Sequence, residues 1–171
     1  TVKQHQKISD TQGSFTASLD NEDYFGRSVA SLGDLDGDGV VDLVVGAYGD
    51  DDGGSGRGAV YVLMLKTDGT VKQHQKISDT QGSFAAALGS VYFGVSVTNL
   101  GDIDRDGVVD LAVGAHGDDD GGNNRGAVYV LMLNPAGATP CVAGTYGTQA
   151  LETAFASCKD CERGYYCGGV N

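Results

Sequence analysis

Residues 1–15, Thr1-Val-Lys-Gln-His-Gln-Lys-Ile-Ser-Asp-Thr-Gln-Gly-Ser-Phe15, return without change as Thr70–Phe84, 69 positions later. Tyr24-Phe25-Gly26 returns as Tyr92-Phe93-Gly94 at a spacing of 68, so the second copy is one residue shorter around Ser18–Asp23. A tandem unit of this length buries its apolar face against its own copies. Within each unit, short β-branched and aromatic runs alternate with Gly- and Asp-rich turns, the pattern of strands and hairpins. The first copy reads as strands Phe25–Leu32, Asp42–Ala47, Gly58–Leu65 and Val71–Ile77, and the second as Phe93–Leu100, Asp110–Ala115 and Gly126–Leu133.

Four antiparallel strands repeated in this way form the blades of a β-propeller. The expected fold class is therefore all-β, with two four-stranded propeller blades and a small disulfide-rich tail. The expected organisation has four parts: residues 1–21, an outer strand (Thr1–Ser9) and inter-blade loop of a preceding or ring-closing blade; 22–89, blade 1; 90–137, blade 2, without its outer strand; and 138–171, a cysteine-rich module. Gly26, Ser28, Gly46 and Ala47 crowd the first two strands with small side chains, as sheets that converge require. The chain starts without Met, inside a repeat and without a basic-then-apolar leader, which reads as a fragment or processed product.

The strongest chemical signal is a nonapeptide found once per blade. Asp34, Asp36, Asp38 and Asp42 occupy positions 1, 3, 5 and 9 of the first loop, and Asp102, Asp104, Asp106 and Asp110 those of the second. Four carboxylates so close repel one another unless a cation gathers them, and an all-oxygen set suits Ca²⁺. Gly39 and Gly107, at position 6, allow the tight turn, and the position-7 carbonyls of Val40 and Val108 complete the expected ligand sets. A helical EF-hand loop needs a Glu at position 12; here Val45 and Val113 stand there, followed by Gly-Ala, so the loops join strands. Two Ca²⁺ sites are expected. The alternative is a solvated acidic turn.

In these residues the chain resembles the FG-GAP repeat of integrin α-subunit propellers: Phe25-Gly26 and Gly46-Ala47 flank the first acidic loop, and Phe93-Gly94 and Gly114-Ala115 the second. The likeness covers most of residues 1–133, with Tyr48 and His116 where the family usually has proline. It implies a non-enzymatic, extracellular or cell-surface protein for adhesion or protein–protein interaction. It also implies structural calcium at one end of each blade and ligands at the other. That other end carries Tyr48, Asp50, Asp51, Asp52 and Arg57, then His116, Asp118, Asp119, Asp120 and Arg125. These residues form an expected partner face, whose alternative is a solvated loop with locally paired arginines.

Two further functions stay open: a filament or coat subunit assembled through open blade edges, and a non-catalytic part of a secreted hydrolase. The formal charge of −12 argues against nucleic acid or an anionic membrane as partner, and no run approaches the length of a membrane span. No Ser-His-Asp order, phosphate loop or nucleophilic cysteine is evident, and His5 and His74 fall on an outer strand. All four cysteines, Cys141, Cys158, Cys161 and Cys167, follow the repeats. Beside extracellular calcium loops they read as disulfides rather than a zinc site, because Cys141 and Cys167 do not form a second close pair. This tail is similar to the cysteine-rich modules of ephrin and tumour necrosis factor receptors. That resemblance implies a Cys141–Cys158 bond, with Cys161 and Cys167 paired together or with cysteines beyond Asn171.

Overall fold

The computed structural model describes residues 1–84 and 86–134. The cysteine-rich module, its four cysteines and the segment expected to lack an outer strand after Asn134 lie outside these residues. Strands β1 (Ser28–Gly33), β2 (Asp42–Ala47), β3 (Ala59–Leu65) and β4 (Val71–Ile77) form one antiparallel sheet in that order. Strands β5 (Phe93–Gly101), β6 (Asp110–Ala115) and β7 (Ala127–Leu131) form a second sheet of three. The described residues contain no helix, so none could cross a membrane. The fold is all-β, with two antiparallel sheets consistent with blades of a partial propeller.

The strands fall where the apolar runs lie. The bulky run of β3 is buried on both faces, with Ala59 to Leu63 at 3% exposure or less. One face carries Val60, Val62 and Met64 into a core shared with Leu111, Val113 and Phe93 of the second sheet. The other carries Ala59, Tyr61 and Leu63 against Phe15 and Val71. Burying each large aliphatic contributes about 1.5–3 kcal/mol, so the core shared by the two sheets holds the blades together.

An aromatic trio is set into each blade. Phe15, Phe25 and Tyr61 meet at centroid distances of 5.0–5.6 Å. Phe84, Phe93 and Tyr129 repeat the arrangement at 5.2–5.7 Å. The inter-blade segment thus covers the face of the blade it precedes.

Two expectations are corrected. The first strand begins at Ser28 rather than Phe25, because Tyr24–Arg27 forms a turn closed by Arg27 N–H on the Tyr24 carbonyl, with Gly26 at φ +91°. Residues 1–8 form no strand, and the only ladder element near them is the Ser9–Gln12 bridge. The same residues at Val71–Ile77 form β4 because β3 lies beside them. At Val2–Ile8 no third strand is adjacent, and β7 is not paired to them. Identical local sequence therefore takes its state from its neighbour.

Candidate functional site

The two acidic loops close one end of the blades. In the first, Asp34 accepts hydrogen bonds from the N–H groups of Asp38 (2.9 Å) and Gly39 (2.8 Å), and Asp38 accepts one from Val40 (2.9 Å). The second loop repeats this, Asp102 accepting from Asp106 (3.1 Å) and Gly107 (3.0 Å), and Asp106 from Val108 (2.8 Å). Gly39 and Gly107 have φ of +85° and +93°, the turn their position demands. Carboxylate oxygens of Asp34, Asp36 and Asp42 lie within 4.8 Å of one another, as do those of Asp102, Asp104 and Asp106.

The two loops differ in one respect. Lys72 Nζ, from the start of β4, sits 2.8 Å from Asp36 and 2.7 Å from Asp38. Its hydrogen bonds to these two carboxylates raise the lysine pKa, and the bond to Lys72 holds that of Asp38 down. In the second loop, Asp106 Oδ2 is buried with no partner.

The ninth position plays a separate part. Asp42 is fully buried; its oxygens accept from Leu35 N–H at the loop entrance (2.8 Å) and Leu65 N–H at the end of β3 (2.9 Å). Asp110 does the same with Ile103 (2.7 Å) and Leu133 (3.0 Å). These two carboxylates tie loop to sheet, a role the loop pattern alone did not disclose. Asp110 is also outside the second cluster of three.

At the opposite end, the expected partner face separates into buried and exposed halves. Asp50 and Asp118 are 2% and 6% exposed, so they support the loops from beneath, accepting from the hydroxyls of Tyr61 (3.2 Å) and Tyr129 (3.1 Å). Lys76 Nζ joins Asp50 (2.6 Å) to Asp52 (2.5 Å). Burial alone would lower the Lys76 pKa, but the bonds to Asp50 and Asp52 outweigh it and the net shift is upward. Burial raises the pKa of Asp50 and also that of Asp23, which borders an acidic cleft of about 150 Å³ with Asp20 and Asp50–Asp52. Arg57 pairs with Asp79 of the inter-blade loop. Asp51, Asp52, Asp119, Asp120 and Arg125 are exposed.

Above this layer, four rings form a row that crosses both blades, two stacked pairs meeting at a tilt of 60°. Tyr24 lies 5.1 Å from Tyr48, Tyr48 6.0 Å from Tyr92, and Tyr92 5.0 Å from His116. Tyr48 and His116 were singled out from the sequence, whereas Tyr24 and Tyr92 were noted there only as repeat landmarks. Their place directly before Phe-Gly in each copy was the available signal.

Residues 25–63 and 93–131 each match the family model described as FG-GAP repeat. Among curated proteins, the chain is 40% identical over 106 residues to integrin alpha-IIb of Homo sapiens, which is 61% of this chain and 9% of that protein. It is 38% identical over 113 residues to integrin alpha-X of Homo sapiens (65% and 8%) and 39% over 96 residues to integrin alpha-5 of Xenopus laevis (56% and 9%). The chain thus spans less than a tenth of each of these relatives. Both sheets thus fall on matches to the FG-GAP repeat, and the region that contains them is similar to integrin α-subunits.

Proposed function

We propose that the chain is a calcium-stabilised FG-GAP propeller segment of an extracellular or cell-surface protein, acting in adhesion or protein–protein contact and not in catalysis. The acidic loops carry this reading. Each gathers oxygens of three carboxylates, and the only cation ion-paired to either among the described residues, the Lys72 ammonium, stands where a metal ion would balance the first set. In the second, the buried, unpartnered oxygen of Asp106 leaves a lone pair for the same purpose. The donor set is oxygen throughout and fits Ca²⁺. Asp34, Asp36, Asp38, Asp42 and the Val40 carbonyl would hold one ion; Asp102, Asp104, Asp106, Asp110 and the Val108 carbonyl would hold the other.

The ion would brace the hairpin between the first two strands of each blade, leaving the opposite end to partners. There the row Tyr24, Tyr48, Tyr92 and His116, edged by Asp51, Asp52, Asp119 and Asp120, offers aromatic area beside negative charge. Such a surface suits a protein partner with basic side chains.

Thermal melting tests the metal. At a calcium concentration 100-fold above the dissociation constant, each site adds about 2.7 kcal/mol, so EDTA should lower the melting temperature by several degrees. Asp36→Ala with Asp104→Ala should remove that sensitivity. A wild-type melt indifferent to both calcium and EDTA would falsify the assignment.

A further inference from the structure

Strand β7 lacks two kinds of cover that its counterpart β3 possesses. Val60, Val62 and Met64 are 0%, 3% and 6% exposed, whereas Val128, Val130 and Met132, the same residues one blade on, are 69%, 48% and 52% exposed. In blade 1, β4 pairs along the edge of β3 and the second sheet lies on its face. Neither cover exists for β7 among the described residues.

The acids show the same deficit. Asp50 is bound by Lys76 of β4, but Asp118, 6% exposed, has no ion pair among the described residues. Asp36 and Asp38 hold Lys72 of β4, but their counterpart Asp106 keeps an unpartnered buried oxygen. A buried carboxylate without a cation is costly. Every missing group belongs to one strand, and the chain carries the sequence of that strand twice. Lys3 and Lys7 repeat Lys72 and Lys76, on a segment whose residues 1–7 are all exposed.

We propose that Val2–Ile8 of a second copy of this chain adds to β7 as its fourth strand. The β3–β4 register supplies the alignment: Val60 faces Ile77, Tyr61 faces Lys76, Leu63 faces His74 and Leu65 faces Val71. By the repeat, Val128 faces Ile8, Tyr129 faces Lys7, Leu131 faces His5 and Leu133 faces Val2. Lys7 then meets Asp118 and Asp120, Lys3 meets Asp104 and Asp106, and His5 lies against Phe84 as His74 lies against Phe15.

Strand addition also brings the first sheet of the second copy over Val128, Val130 and Met132. Val29 and Val41 of that sheet are 54% and 53% exposed, while their counterparts Val97 and Val109 already pack into the core between blades 1 and 2. Strand and sheet thus repeat a contact the molecule makes once within itself. The association is head-to-tail, so it produces a ring if the rotation closes and a filament if it does not. It rests on the blade reading, and it requires neither calcium nor an adhesive partner.

Sedimentation velocity of the full chain over a dilution series tests it. Wild type should form dimers and larger species. The double variant Lys3→Glu/Lys7→Glu should weaken association at least about tenfold, with a melting temperature unchanged at dilutions where wild type is monomeric. Gly114→Ala should do the same from the other side, because the Gly26 carbonyl of the second copy would meet the new methyl. The model for that contact is Gly94 O, 2.0 Å from a Cβ built on Gly46. If Gly114→Ala lowers the melting temperature, Val128→Glu replaces it. Mixing the lysine variant with the β7-side variant should give one-to-one dimers and nothing larger, since each supplies one intact surface. Three results would each overturn the proposal: a wild type that stays monomeric, variants that associate like wild type, or concentration-independent amide protection of β7. The last would show residues 135–171 covering the strand. Lys3 does not reach the first acidic loop, whose own lysine is Lys72, so the calcium response of that loop is read separately through Asp36→Ala, and failure here is distinct from failure of the functional reading.

Discussion

Gly46→Ala should destabilise the folded chain by about 3 kcal/mol or more, lowering the melting temperature by roughly 10 °C, while Gly114→Ala costs under about 1 kcal/mol. Gly46 lies mid-strand, outside the positive-φ region, so alanine brings no backbone penalty. The effect is purely one of space. A methyl there would stand 2.0 Å from the Gly94 carbonyl oxygen and 2.3 Å from Ser28 Oγ. The serine hydroxyl donates to that same carbonyl at 2.8 Å, so neither neighbour can move without opening the contact between blades. At Gly114 the nearest atom is Ser96 Oγ at 2.3 Å, a side-chain end free to rotate, and the next lies at 3.6 Å. Differential scanning calorimetry on the two variants measures the contrast. Equal losses would mean that the blades do not meet through the glycine of the second strand.

Asp42→Ala should cost roughly 2–5 kcal/mol, from two main-chain N–H groups left without an acceptor in a buried site. Asp42→Asn should recover little of this. Both carboxylate oxygens accept from N–H donors, those of Leu35 and Leu65, and an amide would turn a donor toward one of them. The loss should persist in EDTA, because the carboxylate ties the loop to β3 whether or not a cation is bound. This separates position 9 from position 3, since the loss at Asp36→Ala should be much larger with calcium than without it, where only the exposed Lys72 pair is given up. Chemical denaturation of Asp42→Ala, Asp42→Asn and Asp36→Ala, each with and without calcium, reads the difference. A loss at Asp42 confined to calcium-loaded protein would make it a ligand only.

The strand order of each blade and the place of the acidic loops were legible from the sequence, because apolar runs, glycines and carboxylates recur in one order at one spacing. Asp42–Ala47 and Val71–Ile77 coincide with β2 and β4. What could not be read was anything decided by a neighbour absent from the local sequence. Val2–Ile8 has the residues of β4 but no β3 beside it, so it forms no strand. Asp50 and Asp118 lie in Asp-Asp-Asp-Gly-Gly runs that look exposed throughout, yet the first acid of each run turns inward to a tyrosine hydroxyl eleven positions on. Asp42 looked like one ligand among four because spacing does not show which carboxylate faces the sheet. The Tyr24–Tyr48–Tyr92–His116 row joins residues from different loops and different blades, and no single window of sequence contains it.

That row also makes the protein its own optical gauge. The chain has eight tyrosines and no tryptophan, so its intrinsic ultraviolet emission comes from tyrosine alone. Tyr48 and Tyr92 touch across the boundary between blades, whereas Tyr24 and Tyr48 touch within one. Fluorescence anisotropy and near-ultraviolet dichroism of the native chain therefore carry a signal from the blade boundary itself, and Tyr92→Phe isolates it. The angle between blades can then be followed without a label while calcium is added at the far end.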